Sequence, residues 1–321
     1  MTGTDNTSRL PLDTEASRTA KPLMAFMFAC RPRQWAKNLL IAVPVLVSQQ
    51  WIEPTHWITL ALAFACFSVT ASGTYLVNDV LDLRADRAHP IKKHRPFASG
   101  VLRPGVGVVA AIVMVVGALV ASWVLLPPLF VWSLGVYVIL TLAYSLWVKR
   151  KAMLDVIWLA CLYCLRIIAG GMAVNIIPSA WLLAFALFIF LSLAFAKRYC
   201  ELVIMEEIEV ARPSGRAYLV EDLTLLSTMG VASGYLAVLV LALYINSEAV
   251  TELYAQPQVL WLICPAMLYW ISRFWLLVHR RLVREDPLLY VLSDRLSYII
   301  GAVVVAVALV ADRVVQWFPG G

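Results

Sequence analysis

The chain has 321 residues, of which 62% are hydrophobic and only 14% charged, and its mean hydropathy is +0.81. Soluble domains carry about a quarter charged residues, so this composition excludes a soluble enzyme and points to an all-α, polytopic membrane protein, since helices satisfy their own backbone in lipid. The formal net charge of +6 would suit nucleic acid, but the basic residues are gathered into short connections between apolar runs, and no nucleic-acid partner is expected.

In chain order, residues 1–30 read as a polar, disordered cytoplasmic tail, with no signal-peptide pattern in the first 21. Residues 31–321 read as one transmembrane catalytic domain. Apolar runs long enough to cross a bilayer lie at about 37–51, 57–80, 104–126, 129–147, 154–174, 179–199, 223–246, 259–279 and 293–315. Nine transmembrane helices are therefore expected, the first of them short and interrupted by Pro44. Lys and Arg collect in the segment ending at Lys37, in Arg84–Arg103, Lys149–Lys151, Lys197–Arg216 and Arg280–Arg284, while the opposite connections at Gln50–His56, Pro127–Pro128, Asn175–Pro178 and Asn246–Gln258 have none. The positive-inside rule puts the basic face, and with it the N-terminus, in the cytoplasm of a multi-pass protein of the cell (inner or plasma) membrane. Polar connections follow both the second and the sixth run, which hints at two related halves around a shared cavity. The six cysteines lie in or beside apolar runs, so Cys161 and Cys164 read as small packing residues rather than a redox or zinc pair.

The second run ends in Asn78-Asp79-Val80-Leu81-Asp82-Leu83-Arg84-Ala85-Asp86, an NDxxDxxxD pattern. On a continuous helix Asp79, Asp82 and Asp86 share one stripe, and three carboxylates together call for a cation between them. Mg²⁺ fits, because it binds hard oxygens through one or two carboxylates plus substrate phosphates. The basic residues that follow, among them Arg87 and Arg95, are placed to take phosphate oxygens, whereas Lys92, Lys93 and His94 read individually as a solvated loop. Tyr144 and Lys149 end the fourth run. Arg166 lies deep within the fifth, where an arginine faces a cavity or an ion pair, for example with Asp155. Lys197, Arg198 and Glu201 end the sixth run as candidates for phosphate or metal contact; Glu206, Glu207 and Glu209 beyond them read as a solvated face. Lys37 and Asn38 stand at the first run's entrance, with Trp35 and the neighbouring arginines as interfacial anchors. Arg273, Asp294 and Arg295 read equally as a buried pair or as ligand-binding groups.

The pattern from Asn78 to Asp86, followed by Arg95-Pro96 and set in a multi-helix membrane protein, resembles the UbiA superfamily of intramembrane prenyltransferases. The resemblance implies a bundle with a central lipid-open cavity, a cytoplasmic cap and Mg²⁺ on Asp79, Asp82 and Asp86, which would be the catalytic residues. The second motif of ordinary members, a DxxxD, is missing: the corresponding stretch is Lys197-Arg198-Tyr199-Cys200-Glu201-Leu202-Val203-Ile204-Met205-Glu206. Together with Arg31 to Asn38, this looks more like the decaprenyl-phosphate phosphoribosyltransferase branch. What that branch implies is transfer of 5-phosphoribose from phosphoribosyl pyrophosphate to a polyprenyl phosphate. Lys37, Asn38, Asn78, Arg87, Arg95, Tyr144, Lys149, Arg166, Lys197, Arg198 and Glu201 would then bind substrate. Homo-oligomerisation is left open. The alternatives are a prenyltransferase acting on an aromatic or other polar acceptor, and a transporter, which would leave the acidic stripe unexplained.

Overall fold

Proline sets where the long helices begin. In the computed structural model, which describes residues 22–48, 50, 52–207, 217–248, 250, 254–283 and 286–313, Pro54, Pro104 and Pro128 each open a helix, α3 (Pro54–Leu81), α5 (Pro104–Leu125) and α6 (Pro128–Leu146). A proline there loses nothing, because the first N–H of a helix has no intrahelical acceptor. Before them come α1 (Pro22–Cys30), a 3₁₀ segment (Pro32–Ala42) and α2 (Val43–Val47), and after α3 a short α4 (Leu83–Ala88). The rest is α7 (Leu154–Ala173), α8 (Ala180–Glu207), α9 (Leu223–Ile245), α10 (Ile263–His279), α11 (Pro287–Val291) and α12 (Arg295–Arg313). Among the described residues there is no strand.

Among the described residues, seven segments are long and apolar enough to cross a membrane, from Pro54–Leu81 through Pro257–His279. The expected first span is instead divided: a 3₁₀ stretch runs into the five-residue α2, with Pro44 supplying no N–H at the junction. The last apolar helix, Arg295–Ala311, is shorter than the seven. The tail boundary also moves. Residues 22–30, expected to be disordered, are helical, and Ala25, Ala29 and Cys30 pack with Leu76, Phe97 and Ala111; residues 1–21 lie outside the described residues.

The outer faces carry large apolar side chains in the open, such as Trp123 and Trp132, about 70% exposed, where lipid would be their solvent. The inner packing forms one large cluster centred on α7 to α10 and a second on α3, α6 and α7. The cysteines are all free, and only Cys161 is exposed.

Gly170 lets α7 approach the 3₁₀ segment: a Cβ there would lie 1.9 Å from the Ile41 carbonyl oxygen. Backbone cannot give way as a side-chain tip does. Gly170→Ala is therefore expected to cost about 1–3 kcal/mol or more through forced separation, seen as a lowered thermal midpoint in detergent, whereas Gly117→Ala, with open space at its Cβ, should not lower it.

Candidate active site

Where α3, α6, α7 and α8 face the N-terminal segment they enclose a cavity of about 250 Å³. Seven cationic side chains line it, Arg31, Lys37, Lys92, Arg95, Lys149, Arg166 and Lys197, against two carboxylates, Asp82 and Glu201. Hydroxyls of Thr74, Tyr75, Tyr137, Thr141, Tyr144 and Tyr163 supply much of the remaining wall. Such a lining attracts anions and offers many donors to a polar ligand.

The aspartate motif does not form one stripe. Helix α3 stops at Leu81, Asp82 takes a non-helical conformation (φ −88°, ψ 3°), and α4 begins at Leu83. The break gives the carboxylates different partners. Asp82 Oδ1 accepts from Lys149 Nζ at 2.5 Å, and the same ammonium reaches Asn78 Oδ1 at 3.2 Å. Asp79 and Asp86 share the Arg95 guanidinium instead, at 3.2 and 2.8 Å, and Arg31 adds a second contact to Asp79 at 2.5 Å. Burial raises the Asp86 carboxyl above the usual carboxylate range, with Arg95 opposing the shift.

Among the described residues, no three His, Cys, Asp or Glu side chains converge as a ready metal site. The donor chemistry nevertheless suits a hard divalent ion: the carboxylates of Asp79 and Asp86 already hold one cation, Arg95, between them, and Mg²⁺ needs only one or two protein carboxylates when a phosphate completes its shell.

Arg166 is buried and held on three sides. Its Nε donates to Asn38 Oδ1 at 3.0 Å, Nη1 to the Leu162 carbonyl at 2.6 Å and Nη2 to Tyr137 Oη at 3.2 Å. The rings of Tyr137, Phe67 and Tyr163 surround it with centroids at 5.0, 5.5 and 5.5 Å, so cation–π attraction compensates part of its desolvation. Asn38 itself lies behind the cavity, where it also donates to Ser68 Oγ at 3.0 Å. Its place is to orient Arg166.

Asp155, the partner suggested for Arg166 by the sequence, belongs to Arg198. The two are 1% and 0% exposed and 2.6 Å apart, and Tyr218 donates to the other Asp155 oxygen at 2.6 Å. Arg198 further contacts Glu201 and Tyr144. Its guanidinium ties α6, α7 and α8 together, and Arg198, expected to contact phosphate, does not line the cavity. Arg87 is likewise turned to a loop carbonyl, Ala98, at 3.3 Å, and does not line the cavity. Arg273 and Asp294 pair at 2.9 and 3.2 Å away from the cavity lining, and Glu206 and Glu207 face Arg281 at the surface.

Thus Lys37, Asn78, Asp82, Arg95, Tyr144, Lys149, Arg166, Lys197 and Glu201 meet at the cavity, while Asp79 and Asp86 stand behind Arg95 and Arg31. Besides the hydroxyl-bearing wall, sequence reasoning missed three charged residues. Arg31, read as an anchor, adopts a left-handed conformation (φ 54°, ψ 57°) immediately before Pro32 and lies over the Tyr75 ring at 5.1 Å. Such backbone is costly for a non-glycine residue and tends to persist where function requires it; nothing in the sequence warned of it, since a residue before proline is expected to be extended. Lys92 enters the cavity because the loop is held by His89, whose Nδ1 accepts from the amides of Ile91 and Lys92 at 3.2 and 3.3 Å. Burial, with Lys92 and Arg95 nearby, lowers the pKa of this imidazole to about 4 and keeps it neutral. Asp286 had no local signal at all: it pairs with Lys37 and Lys197 from the far end of the chain.

Comparison with known proteins agrees with this architecture. The protein y4nM of Sinorhizobium fredii is 33% identical over 93% of this chain, which spans 58% of y4nM. The nodulation protein NoeC of Azorhizobium caulinodans is 36% identical, with 87% of this chain and 90% of NoeC covered. The decaprenyl-phosphate phosphoribosyltransferase of Mycobacterium tuberculosis is 39% identical over 56% of this chain and 60% of its own length. A solved UbiA homolog from Archaeoglobus fulgidus, bound to GPP and Mg²⁺, shares the fold with a TM-score of 0.64 at 14% identity, covering 89% of this chain and 99% of that one. Residues 39–293 match the model of the UbiA prenyltransferase family, and since that stretch holds both the bundle and the greater part of the cavity wall, the chain belongs to the UbiA prenyltransferase family.

Proposed function

We propose that this chain transfers 5-phosphoribose from phosphoribosyl pyrophosphate to a polyprenyl phosphate such as decaprenyl phosphate and releases pyrophosphate. The observation that carries this reading is the hydroxyl-rich cavity lined by seven cations and two carboxylates, four of the cations, Arg31, Arg95, Lys37 and Lys197, being paired from behind by Asp79, Asp86 and Asp286. A donor with a pyrophosphate and a 5-phosphate, meeting a phosphate acceptor, brings several anionic groups for these cations to meet. A prenyl pyrophosphate and a neutral acceptor bring fewer, and would be better served by apolar walls. The missing DxxxD and the similarity to the mycobacterial phosphoribosyltransferase support the same choice.

In this reading the aspartate motif would hold Mg²⁺ through one or two of its carboxylates, Asp82 at the cavity wall or Asp79 and Asp86 where Arg95 now stands, and the ion when bound neutralises pyrophosphate charge. Lys149, Arg95, Arg31 and Lys92 take phosphate oxygens, and Arg95 can do so bidentately. The hydroxyls of Thr74, Tyr75 and Thr141 meet the ribose, with Arg166 as a fixed cation among them. The acceptor needs no general base, because its phosphate is already anionic at neutral pH. The ribose C1–oxygen bond to pyrophosphate breaks as a bond from C1 to the acceptor phosphate oxygen forms, and the charge developing on the leaving pyrophosphate is stabilised by the lysines and arginines of the wall. The basic face would lie in the cytoplasm, where a soluble donor has access.

Incubation of the purified protein with labelled phosphoribosyl pyrophosphate, Mg²⁺ and polyprenyl phosphate should yield a lipid-extractable label and pyrophosphate. Absence of both, beside an active control enzyme, overturns the proposal. The family match itself favours the second reading, prenyl transfer to an aromatic or other polar acceptor; consumption of prenyl pyrophosphate in the same assay would establish it instead.

A further inference from the structure

The chain returns to the cavity wall after α10, at Asp286. One of its carboxylate oxygens, Oδ1, accepts the Leu288 amide at 3.2 Å and so caps α11, which Pro287 opens. The other oxygen, Oδ2, accepts Lys37 Nζ at 2.6 Å and lies 3.3 Å from Lys197 Nζ. Lys37 comes from the 3₁₀ segment and Lys197 from α8, and both line the cavity, whereas Asp286 does not.

Two ammonium groups within reach of one oxygen repel each other unless an anion stands between them. Asp286 is that anion. Burial alone would raise its pKa, but Lys197 and Lys37 outweigh burial and hold the carboxyl well below the usual carboxylate range. Lysine is a point charge on a flexible stem and does not hold its own position. A carboxylate fixed by a helix cap and a proline can hold two of them, and the trio keeps one net positive charge for a ligand.

We infer that Asp286 is a positioning residue that holds Lys37 and Lys197 together as a two-lysine seat for a phosphate group of the substrate. The inference rests on the cavity taking a phosphate-bearing substrate, and not on which group is transferred. Asp286 acts through the lysines and touches no substrate.

The test is binding of inorganic pyrophosphate, with Mg²⁺, to the purified full-length protein by calorimetry, alongside the thermal midpoint. Asp286→Asn keeps a good helix cap but loses the charge. It should weaken binding about tenfold, as expected for loss of order in one charge-assisted contact, with the midpoint little changed, and Asp286→Glu should recover part of the affinity. Equal binding by wild type and a folded Asp286→Asn protein overturns the inference. If Asp286→Asn does not fold, the triple variant Lys37→Met, Asp286→Leu, Lys197→Met, which removes the buried charges together, decides: it should fold and lose binding, and unchanged binding overturns the proposal. Wild-type protein that binds pyrophosphate without transferring phosphoribose overturns the proposed function and leaves this seat standing. Wild-type protein that binds none overturns both.

Discussion

Arg198→Met is expected to destabilise the bundle by about 3–5 kcal/mol, because it leaves Asp155 as an uncompensated buried charge. Asp155 is fully buried, and its oxygens accept from Arg198 and Tyr218, each at 2.6 Å. Methionine fills much of the space and supplies no donor. Tyr144 and Glu201 lose their guanidinium partner in the same step, so the tie between the ends of α6, α7 and α8 is lost as a unit. The loss should appear as a large fall in thermal midpoint and in the yield of monodisperse protein. The diagnostic comparison is Arg198→Met with Asp155→Leu. Replacing both partners of a buried pair by apolar residues is often neutral, so the double variant should regain much of the stability lost by the single one. If Arg198 instead served as a phosphate ligand, the double variant would be no more stable than the single and Arg198→Met would fold normally.

Asp82→Asn is expected to lower Mg²⁺-dependent turnover by about 10²–10³-fold, the scale of losing one preorganised electrostatic contact at a reacting centre, while stability changes little. Asp82 is part-exposed at the helix break, so its pair with Lys149 contributes modestly to folding. Asparagine keeps the shape and removes the charge. Lys149 retains Asn78 as an acceptor at 3.2 Å, which should hold the cation in the cavity. The measurement is initial rate against Mg²⁺ concentration, with the thermal midpoint beside it. An unchanged rate at saturating Mg²⁺ would remove Asp82 from the metal role and leave Asp79 and Asp86, which already share a cation in Arg95.

The pattern of the sequence was enough for the helical membrane class and for most of the long helices, since twenty-residue apolar runs in lipid have one common solution. It misjudged the first run. Pro44 was visible, but the 3₁₀ stretch before it and the close approach of α7 to Ile41 at Gly170 were not. Local sequence also identified most of the cavity cations, because lysine and arginine at the ends of apolar runs have few roles beyond anchoring and binding.

What it did not decide was how those charges pair. Asp79 to Asp86 looked like one acidic stripe on the assumption of an unbroken helix; the turn at Asp82 sent one carboxylate to Lys149 and two to Arg95. Arg198 and Lys197 are neighbours in sequence and nearly opposite in use, one enclosed around Asp155 and one facing the cavity. Asp286 reached Lys37 only because the bundle closes on itself. Hydrophobic periodicity is a local property, written into each segment and legible there. Charge pairing between segments depends on distances of a few ångströms that exist only once the helices have packed, so the tertiary structure alone decided which cations line the cavity.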